Sequence, residues 1–506
     1  MLRTVLLIIL ITLLTACTLP SSPAEYQSST QPAVPLTETP GFASTPIPVT
    51  NTPGVAISVP SATPTSPVQN DLLRTQYTLQ AELDYWNHTL VVSETIAFIN
   101  SSPDILDELW LEVEANRWAG GFVLLSLRWD GGEDIANYEL SSNQMVIPLL
   151  QPLQPGEEIL LLIDYQLFLP AIPDPSDTSR PMPFGYTERQ TNLVDWYPSV
   201  PPYRSGEGWL LHKPGYFGEH QVYEVADFDV QITLSQPVKD LVIAASAPAD
   251  ERGESYHYYF ENARNFAWSA SHMYNVQSAT VGGVLVSSYS FPTDTWADEQ
   301  AFQDTVQAVR LYSELFSPYP YPSLSLVEAD FLDGMEFSGL YFLSRGFYNL
   351  YDGTPKGYLT AIAVHETAHQ WWYSQVGNDQ ALEPWLDEAM CTYSERLFYE
   401  NTYPDLVDWW WAFRVDYYEP SGVIDGTIYD YGGFMSYRDS VYLHGAQFIE
   451  ELRNAIGDDA FFAFLRDYVS RNANRQVTGD DFFNVLQEHS DQDLSRLRNK
   501  YFTPKE

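Results

Sequence analysis

The stretch VHETAHQWWYSQVG, residues 364–377, places two histidines four positions apart, with a glutamate directly after the first. On an α-helix, side chains at positions i and i+4 project from one face, so His365 and His369 can present their imidazoles to one cation with Glu366 beside them. Zinc binds such nitrogens at about 2.0–2.1 Å. The alternative is a buried amphipathic helix whose histidines hold no metal, and the residues around the stretch decide between the two.

A third ligand follows on the next predicted helix. A catalytic zinc needs three protein ligands and one open position for water. Glu388 offers a carboxylate in EPWLDEAMCTYSERLFYE, residues 383–400, where Pro384 suits a first helical turn. Eighteen residues separate Glu388 from His369. This spacing favours a zinc site built from two packed helices.

The chain around the two helices divides into a β-rich and a helical part. Runs such as TLVVSETIAFIN and DFDVQITL alternate apolar and polar residues, which predicts an all-β sandwich or saddle over residues 71–292. From residue 293 the period becomes helical, as in DEQAFQDTVQAVRLYSELF, apart from a strand predicted over residues 323–331. We therefore expect a multidomain α+β protein whose mostly helical domain, residues 293–506, carries the site.

The first residues predict an export signal with a lipid anchor. The apolar run over residues 5–14 is too short for a bilayer span of about 20 residues but typical of a signal-peptide core. It ends in LTAC, residues 14–17, which resembles a bacterial lipobox. Residues 1–17 are thus predicted to be a lipoprotein signal peptide, with the lipid on Cys17 anchoring the chain outside the cytoplasm to a bacterial cell membrane. An ordinary secretory signal would give the same compartment.

Composition describes the segment that follows and the partners of the chain. Residues 18–70 are rich in Pro, Ser and Thr and lack apolar periodicity, which predicts a disordered tether. The 67 acidic and 25 basic residues give a formal net charge of −42, which opposes binding to nucleic acid. The second cysteine, Cys391, has no partner if Cys17 is lipidated, so no disulfide framework is expected.

At several motifs the sequence resembles the gluzincin zinc aminopeptidases of the alanyl aminopeptidase and leukotriene hydrolase type. HETAHQWWYSQV is similar to the family's H-E-x-x-H-Q-W-[WF]-G-N-x-V, and WLDEA to its W-L-N-E-G at the same interval. The resemblance implies one zinc ion per chain, bound by His365, His369 and Glu388. It also implies that Glu366 is the general base and that residues 293–506 form a thermolysin-like catalytic domain.

Two flanking motifs extend the resemblance to the substrate. DGMEFSGL, residues 333–340, resembles the family's G-x-M-E-N segment, which implies that Glu336 binds a free amino terminus, with Gly334 and Met335 beside it. The strand predicted before Gly334 could offer a backbone edge to an extended peptide. YRDSVYLHGAQFIEEL, residues 437–452, resembles Tyr-x-x-x-x-Tyr-x-Lys-Gly, which implies that Tyr442 stabilises the oxyanion and that Tyr437 supports the pocket.

The chain also departs from the family pattern. Phe337 stands in place of Asn, which weakens the expectation of ordinary aminopeptidase specificity. Asp387 replaces Asn, Ala389 replaces Gly and His444 replaces Lys, and none of these changes removes a predicted ligand or the base. The resemblance does not reach the large helical C-terminal domain of many members, so we expect a more open cleft. For the residue of the β domain that would complete the amine site, Gln190 and Glu188 are candidates.

These observations predict a zinc metallopeptidase, an aminopeptidase acting on extracytoplasmic peptides. The first alternative keeps the zinc but loses the amine selection, which gives an endopeptidase with an open cleft. The second is a lipid-anchored binding module on a peptidase fold that no longer turns over. Peptides and the membrane are the expected partners, and nothing in the sequence indicates an oligomeric state.

Overall fold

The computed structural model describes residues 74–132, 134–174, 182–252, 255–292 and 296–504. Contacts divide the chain into two units, Met1–Gln69 and Asn70–Glu506, and the described residues lie in the second. The predicted signal peptide, the lipidation of Cys17 and the tether over residues 18–70 lie outside the described residues.

Short strands fill the N-terminal half, in agreement with its period-two pattern. The bounds are β1 (Gln76–Asp84), β2 (Thr89–Ile99), β3 (Leu106–Glu112), β4 (Phe122–Trp129), β5 (Glu139–Ser141), β6 (Gln144–Leu153), β7 (Glu158–Phe168), β8 (Gly185–Tyr186), β9 (Thr191–Leu193), β10 (Tyr203–Arg204), β11 (Gly208–Trp209), β12 (Ala226–Leu234), β13 (Val242–Ala245), β14 (Asp250–Arg252), β15 (Ser255–Ala263), β16 (Trp268–Ser271), β17 (Asn275–Val281) and β18 (Val284–Ser290). Seven of them form one sheet in the order β14-β15-β12-β1-β2-β7-β4. Smaller sheets, β3-β6-β5 and β13-β16-β9-β8, accompany it.

Alternation along these strands builds the core of the β-rich part. In β2, Leu90, Val92 and Ile96 are fully buried, while Val91 and Ser93 between them are exposed. They share one apolar cluster with Leu109 and Leu111 of β3, so the large sheet and the three-stranded sheet bury their faces together.

A second large sheet carries the chain into the helical half. After β19 (Ser323–Ala329), β20 (Gly334–Phe337) and β21 (Leu340–Ser344), its order is β17-β18-β19-β21-β20. This sheet contains strands from both sides of the domain boundary predicted at residue 293, and that boundary stays a prediction.

The edge of this sheet differs from the expectation. Strand β19 pairs with β18 on one side and β21 on the other, so the stretch over residues 323–331 offers no free backbone edge. The chain instead reverses near Asp333, whose φ is 64°, and β20 pairs only with β21 among the described strands. The edge strand is therefore β20, which carries Glu336.

Helices dominate from residue 297 onward. They are α1 (Ala297–Leu315), α2 (Arg345–Asn349), α3 (Tyr358–Ala368), α4 (Trp385–Thr402), α5 (Val407–Trp410), α6 (Phe434–Tyr437), α7 (Gly445–Ile456), α8 (Asp458–Asn472), α9 (Gly479–His489) and α10 (Ser495–Tyr501). Wider π-helical turns at Trp411–Val415 and Arg438–His444 continue α5 and join α6 to α7. A short parallel pair, β22 (Val376–Asn378) and β23 (Arg475–Val477), lies among them. The order of a β-rich part followed by a helical part confirms the predicted α+β class.

Local signals account for several helix ends. Thr478 and Asp481 form a capping box at the start of α9, as their spacing predicts. Gly457, at φ 84°, ends α7. In the part of the chain that the structure describes, none of the helices combines the length and apolar character that a bilayer crossing requires.

Candidate metal centre

The last turn of α3 and the first turn of α4 bring three potential metal ligands together. Nε2 of His365 lies 3.1 Å from Oε2 of Glu388, and Nε2 of His369 lies 3.6 Å from the same oxygen. In a tetrahedral zinc site with ligand bonds of about 2.0–2.1 Å, ligand atoms lie about 3.3 Å apart. All three side chains are at most 5% exposed. The predicted trio therefore has the spacing of a zinc ligand set.

Groups behind the histidines hold their rings in place. Oε1 of Glu395 lies 2.9 Å from Nδ1 of His365, and the carbonyl oxygen of Trp372 lies 3.1 Å from Nδ1 of His369. Glu395 in turn accepts two hydrogen bonds from Arg414 and one from Trp410. Burial would lower the pKa of His365, but its hydrogen bonds to Glu388 and Glu395 raise that pKa to about 9. Both Nε2 atoms are thereby directed at the same point.

Sequence reasoning missed Glu395 and Arg414. Glu395 lies seven residues after Glu388, two turns along one helix face, so the spacing offered a signal for it. Arg414 comes from a π-helical turn that is distant in sequence, and no local pattern points to it.

Glu366 sits beside the ligands with a free oxygen. The side chain is buried, and Oε2 has no hydrogen-bond partner among the described residues. Burial raises the pKa of Glu366 to about 8, against the lowering effect of the two histidines. A Cβ atom on Gly334 would overlap the Glu366 carboxylate, so the glycine allows the edge strand to approach Glu366 this closely.

Strand β20 places Glu336 next to this centre. One oxygen or nitrogen from each of Glu336, Glu366 and His369 falls within 4.8 Å of the others. Oε1 of Glu336 accepts a hydrogen bond from Gln380 at 2.9 Å, and Gln380 also donates to Asp387. Gln380 was not anticipated, because its role depends on the loop before α4 folding back onto the edge strand.

The helical segment from α6 to α7 contributes two tyrosines. The Tyr442 hydroxyl donates to Oε1 of Glu388, and its ring stacks against His365 at 5.9 Å. The Tyr437 ring contacts the Tyr442 ring edge-on at 5.6 Å, and its hydroxyl has no hydrogen-bond partner among the described residues. The structure thus brings both predicted tyrosines to the site.

A cavity of about 370 Å³ opens over these groups. It is lined by nine of the predicted site residues, namely Gly334, Met335, Glu336, His365, Glu366, His369, Glu388, Tyr437 and Tyr442. Aromatic side chains of Phe217, Phe347 and Phe434 form further walls. Such a cleft can hold a short peptide segment in extended form.

Cys391 also lies near the candidate metal centre. Its sulfur falls within 4.8 Å of a ring nitrogen of both histidines, so it offers an alternative third ligand. The thiol is fully buried and donates to the carbonyl of Trp372, and it does not line the cavity. Glu388 contacts both histidines directly and faces the cleft, so the geometry favours Glu388.

The structure places the substituted motif positions and the two candidate amine-site residues as follows. Phe337 is buried against Phe342. His444 contacts the carbonyl of Gly422, outside the cavity. Gln190 is bonded to Tyr274 and to the backbone of Glu328 and Asp330, so it does not reach Glu336. Glu188 lies in a separate surface groove, so neither candidate completes the amine site.

Known proteins resemble this chain in sequence and in fold. Residues 300–501 match the model of the peptidase family M1 domain. Aminopeptidase N of Lactobacillus delbrueckii subsp. lactis is 24% identical over 310 residues, covering 54% of this chain and 35% of that protein. Aminopeptidase M1-D of Oryza sativa subsp. japonica is 29% identical over 238 residues, covering 44% and 27%. The chain thus spans about a third or less of the length of these curated relatives.

Among solved structures, a mutant of the M1 zinc metallopeptidase from Deinococcus radiodurans superposes with a TM-score of 0.61 at 20% identity, covering 85% of this chain and 95% of that one. The same mutant bound to a Tyr-Ser-Ala substrate gives a TM-score of 0.60. These likenesses show a common fold.

Fold and site together define a two-histidine, one-glutamate peptidase architecture. Its helical part matches the peptidase family M1 domain over residues 300–501, in agreement with the resemblance to the gluzincin aminopeptidases.

Proposed function

We propose that the chain is a zinc-dependent aminopeptidase that removes the first residue of extracytoplasmic peptides. The observation that carries the proposal is the position of Glu336. Its carboxylate lies within 4.8 Å of both Glu366 and the ligand His369. A substrate ammonium bound there would place its first peptide bond, and no later one, beside the general base.

The donor set supports zinc as the cofactor. Two imidazoles and one carboxylate on neighbouring helices are a ligand set of catalytic zinc sites, which keep a fourth position open. His365, His369 and Glu388 would hold the ion. When bound, zinc polarises the scissile carbonyl and lowers the pKa of a bound water.

The remaining steps fall to side chains of this chain. The unpartnered oxygen of Glu366 would accept the proton of the attacking water and pass it to the leaving amine. The Tyr442 hydroxyl, now on Glu388, would donate to the developing oxyanion. Glu336, with Gln380 fixing one of its oxygens, would hold the amino terminus.

The test uses residues 71–506, purified and assayed for bound zinc, against aminoacyl amides and their N-acetylated forms. Wild type should carry one zinc and hydrolyse only the free amines, and Glu366→Gln should keep the zinc and lose turnover. Equal cleavage of acetylated peptides would overturn the amine selection and support the endopeptidase. Bound zinc without any turnover would support the non-catalytic binding module.

We also propose that a lipid on Cys17 holds the chain at the outer side of a bacterial cell membrane. The apolar run and the LTAC sequence before Cys17 support this location. In cells expressing the full chain, wild type should fractionate with membranes and incorporate a labelled fatty acid. Cys17→Ala should abolish the labelling, and labelling that persists would contradict the proposal.

A further inference from the structure

A second chamber opens beside the amine-binding carboxylate. Its volume is about 180 Å³, and it shares Glu219, Met335 and Glu336 with the catalytic cleft. Its other walls come mostly from the β-rich part of the chain. Glu336 therefore lies at the junction of the two spaces.

The chamber walls are largely apolar. Trp118, Phe184, Val194 and Met335 line the chamber. Such walls suit the methylene stem of a long side chain, which stays apolar up to its terminal group.

Four carboxylates line the chamber, of which Glu219 and Glu336 are shared with the cleft and two belong to the chamber alone. Glu114 and Asp195 line it, and Arg117 is the one lysine or arginine among its described lining residues. Arg117 forms an ion pair with Glu114, and His220 also contacts Glu114. The positive charge of the chamber is thus engaged with Glu114.

Asp195 forms no ion pair among the described residues, although the charge of Arg117 acts on it from its pair with Glu114. Its carboxylate accepts a hydrogen bond from the neutral phenol of Tyr223. Burial, together with the charges of Glu114 and Glu336, raises the pKa of Asp195 to about 7 in spite of that bond and of the lowering effect of the Arg117 charge. Nearby, Glu112 is 1% exposed, and neither of its carboxylate oxygens has a partner among the described residues. The region therefore has more buried carboxylates than cations to balance them.

We propose that this chamber receives the side chain of the first substrate residue and selects lysine or arginine through Asp195. The inference rests on the proposed aminopeptidase function, because only an amino terminus bound at Glu336 places the first side chain at the chamber entrance. The stem would lie between Trp118, Phe184 and Met335, and the cationic end would pair with Asp195. A cation there compensates buried negative charge that the chain itself leaves unbalanced.

The test compares each basic side chain with a neutral side chain of similar shape. With p-nitroanilides of arginine and its neutral isostere citrulline, wild type should show a kcat/KM ratio of at least about 10, the effect of one hydrogen-bonded charge pair. Lysine and norleucine should give a similar ratio. In Asp195→Asn, which keeps an acceptor for Tyr223 and tolerates the φ of 48°, both ratios should fall towards one.

The control is Asp240→Asn, a change at another aspartate of positive φ, 58°, whose side chain is 72% exposed; both ratios should keep their wild-type values. If wild type hydrolyses norleucine and citrulline substrates as fast as the basic ones, the chamber proposal is overturned while the aminopeptidase stands. An unchanged ratio in folded Asp195→Asn would also overturn it. If no free-amine substrate is hydrolysed, the proposed function fails and the inference fails with it.

Discussion

Glu395 is the residue that holds the His365 ring in the candidate metal centre. It is fully buried, and it joins His365 to Arg414 and Trp410. Glu395→Gln would keep the shape but remove the charge, leaving the Arg414 guanidinium buried without its partner. We expect zinc affinity to fall roughly 10–100-fold, as is usual for groups behind a ligating histidine. Competition for zinc with chelators of increasing affinity measures this change in zinc affinity.

The matched change for this prediction is Glu451→Gln, on the exposed face of α7, where the side chain is 45% exposed and pairs with Lys500. It should leave zinc affinity at the wild-type value. Equal zinc affinity in Glu395→Gln and wild type would show that the three predicted ligands keep their orientation without the hydrogen bond to Glu395.

Tyr442 and Tyr437 allow a comparison between two phenols of one site. Tyr442→Phe removes the hydroxyl proposed to donate to the developing oxyanion, so kcat should fall roughly 10²–10³-fold with little change in KM. Tyr437 has no hydrogen-bond partner among the described residues, so Tyr437→Phe should cost less than about tenfold in kcat. Steady-state kinetics on a leucyl amide, with zinc content checked, separates the two. If both variants lose the same factor in kcat, the oxyanion is not stabilised by either phenol alone.

At the scale of helices, the contact of α7 with α4 fixes the position of Tyr442. A Cβ atom on Gly445 would come within 2.5 Å of the Ala389 Cβ, closer than two carbon atoms can pack. Gly445→Ala should therefore push the two helices apart, lower stability by about 1–3 kcal/mol and reduce kcat. Thermal melts and kinetics measure both effects.

The pair also offers an internal rescue. In Gly445→Ala combined with Ala389→Gly, the space for one methyl group is restored, so both stability and kcat should recover in part. Gly433→Ala, where an added Cβ meets no atom within 4 Å, is the control for the methyl group alone. If the double variant is as unstable and as slow as Gly445→Ala, the effect of the substitution does not come from this contact.

The helices of the site were predictable, whereas its edge strand was only partly so. The spacing of His365, His369 and Glu388 follows from helical geometry and needs no tertiary information. Strand β20 has four residues and follows a turn at Asp333 in the left-handed region, a conformation that no periodicity announces. The partner of Glu336, Gln380, likewise depends on long-range packing.

At the scale of the whole molecule, the β-rich part supplies the second wall of the site. Its residues reach the catalytic half through hydrogen bonds such as Ser325 to the Ala245 carbonyl and Asn265 to the Tyr373 hydroxyl. The sequence predicted two separate patterns, but only the folded chain shows one continuous core. The proposed substrate selection therefore depends on both parts of the chain and not on the zinc motif alone.

Arg264 is the strongest of these connections and gives the last prediction. Its buried guanidinium donates to the carbonyl oxygens of Tyr373, Tyr223 and Arg475, and Gly377 leaves room for it because a Cβ there would overlap the guanidinium. Arg264→Gln strands buried carbonyl groups on both sides, each at a cost of about 1–3 kcal/mol, so we expect a loss of about 3 kcal/mol or more.

Calorimetry and urea denaturation, followed by both tryptophan fluorescence and zinc release, measure this loss. Because the core is continuous, the two signals should shift together in Arg264→Gln and remain one transition. Arg310→Gln, at an exposed position of α1, should melt as wild type does. Zinc release at a lower urea concentration than the fluorescence change would show instead that the helical part unfolds separately. Arg264 would then stabilise the wall of the site that both parts form, without making the fold unfold as one unit.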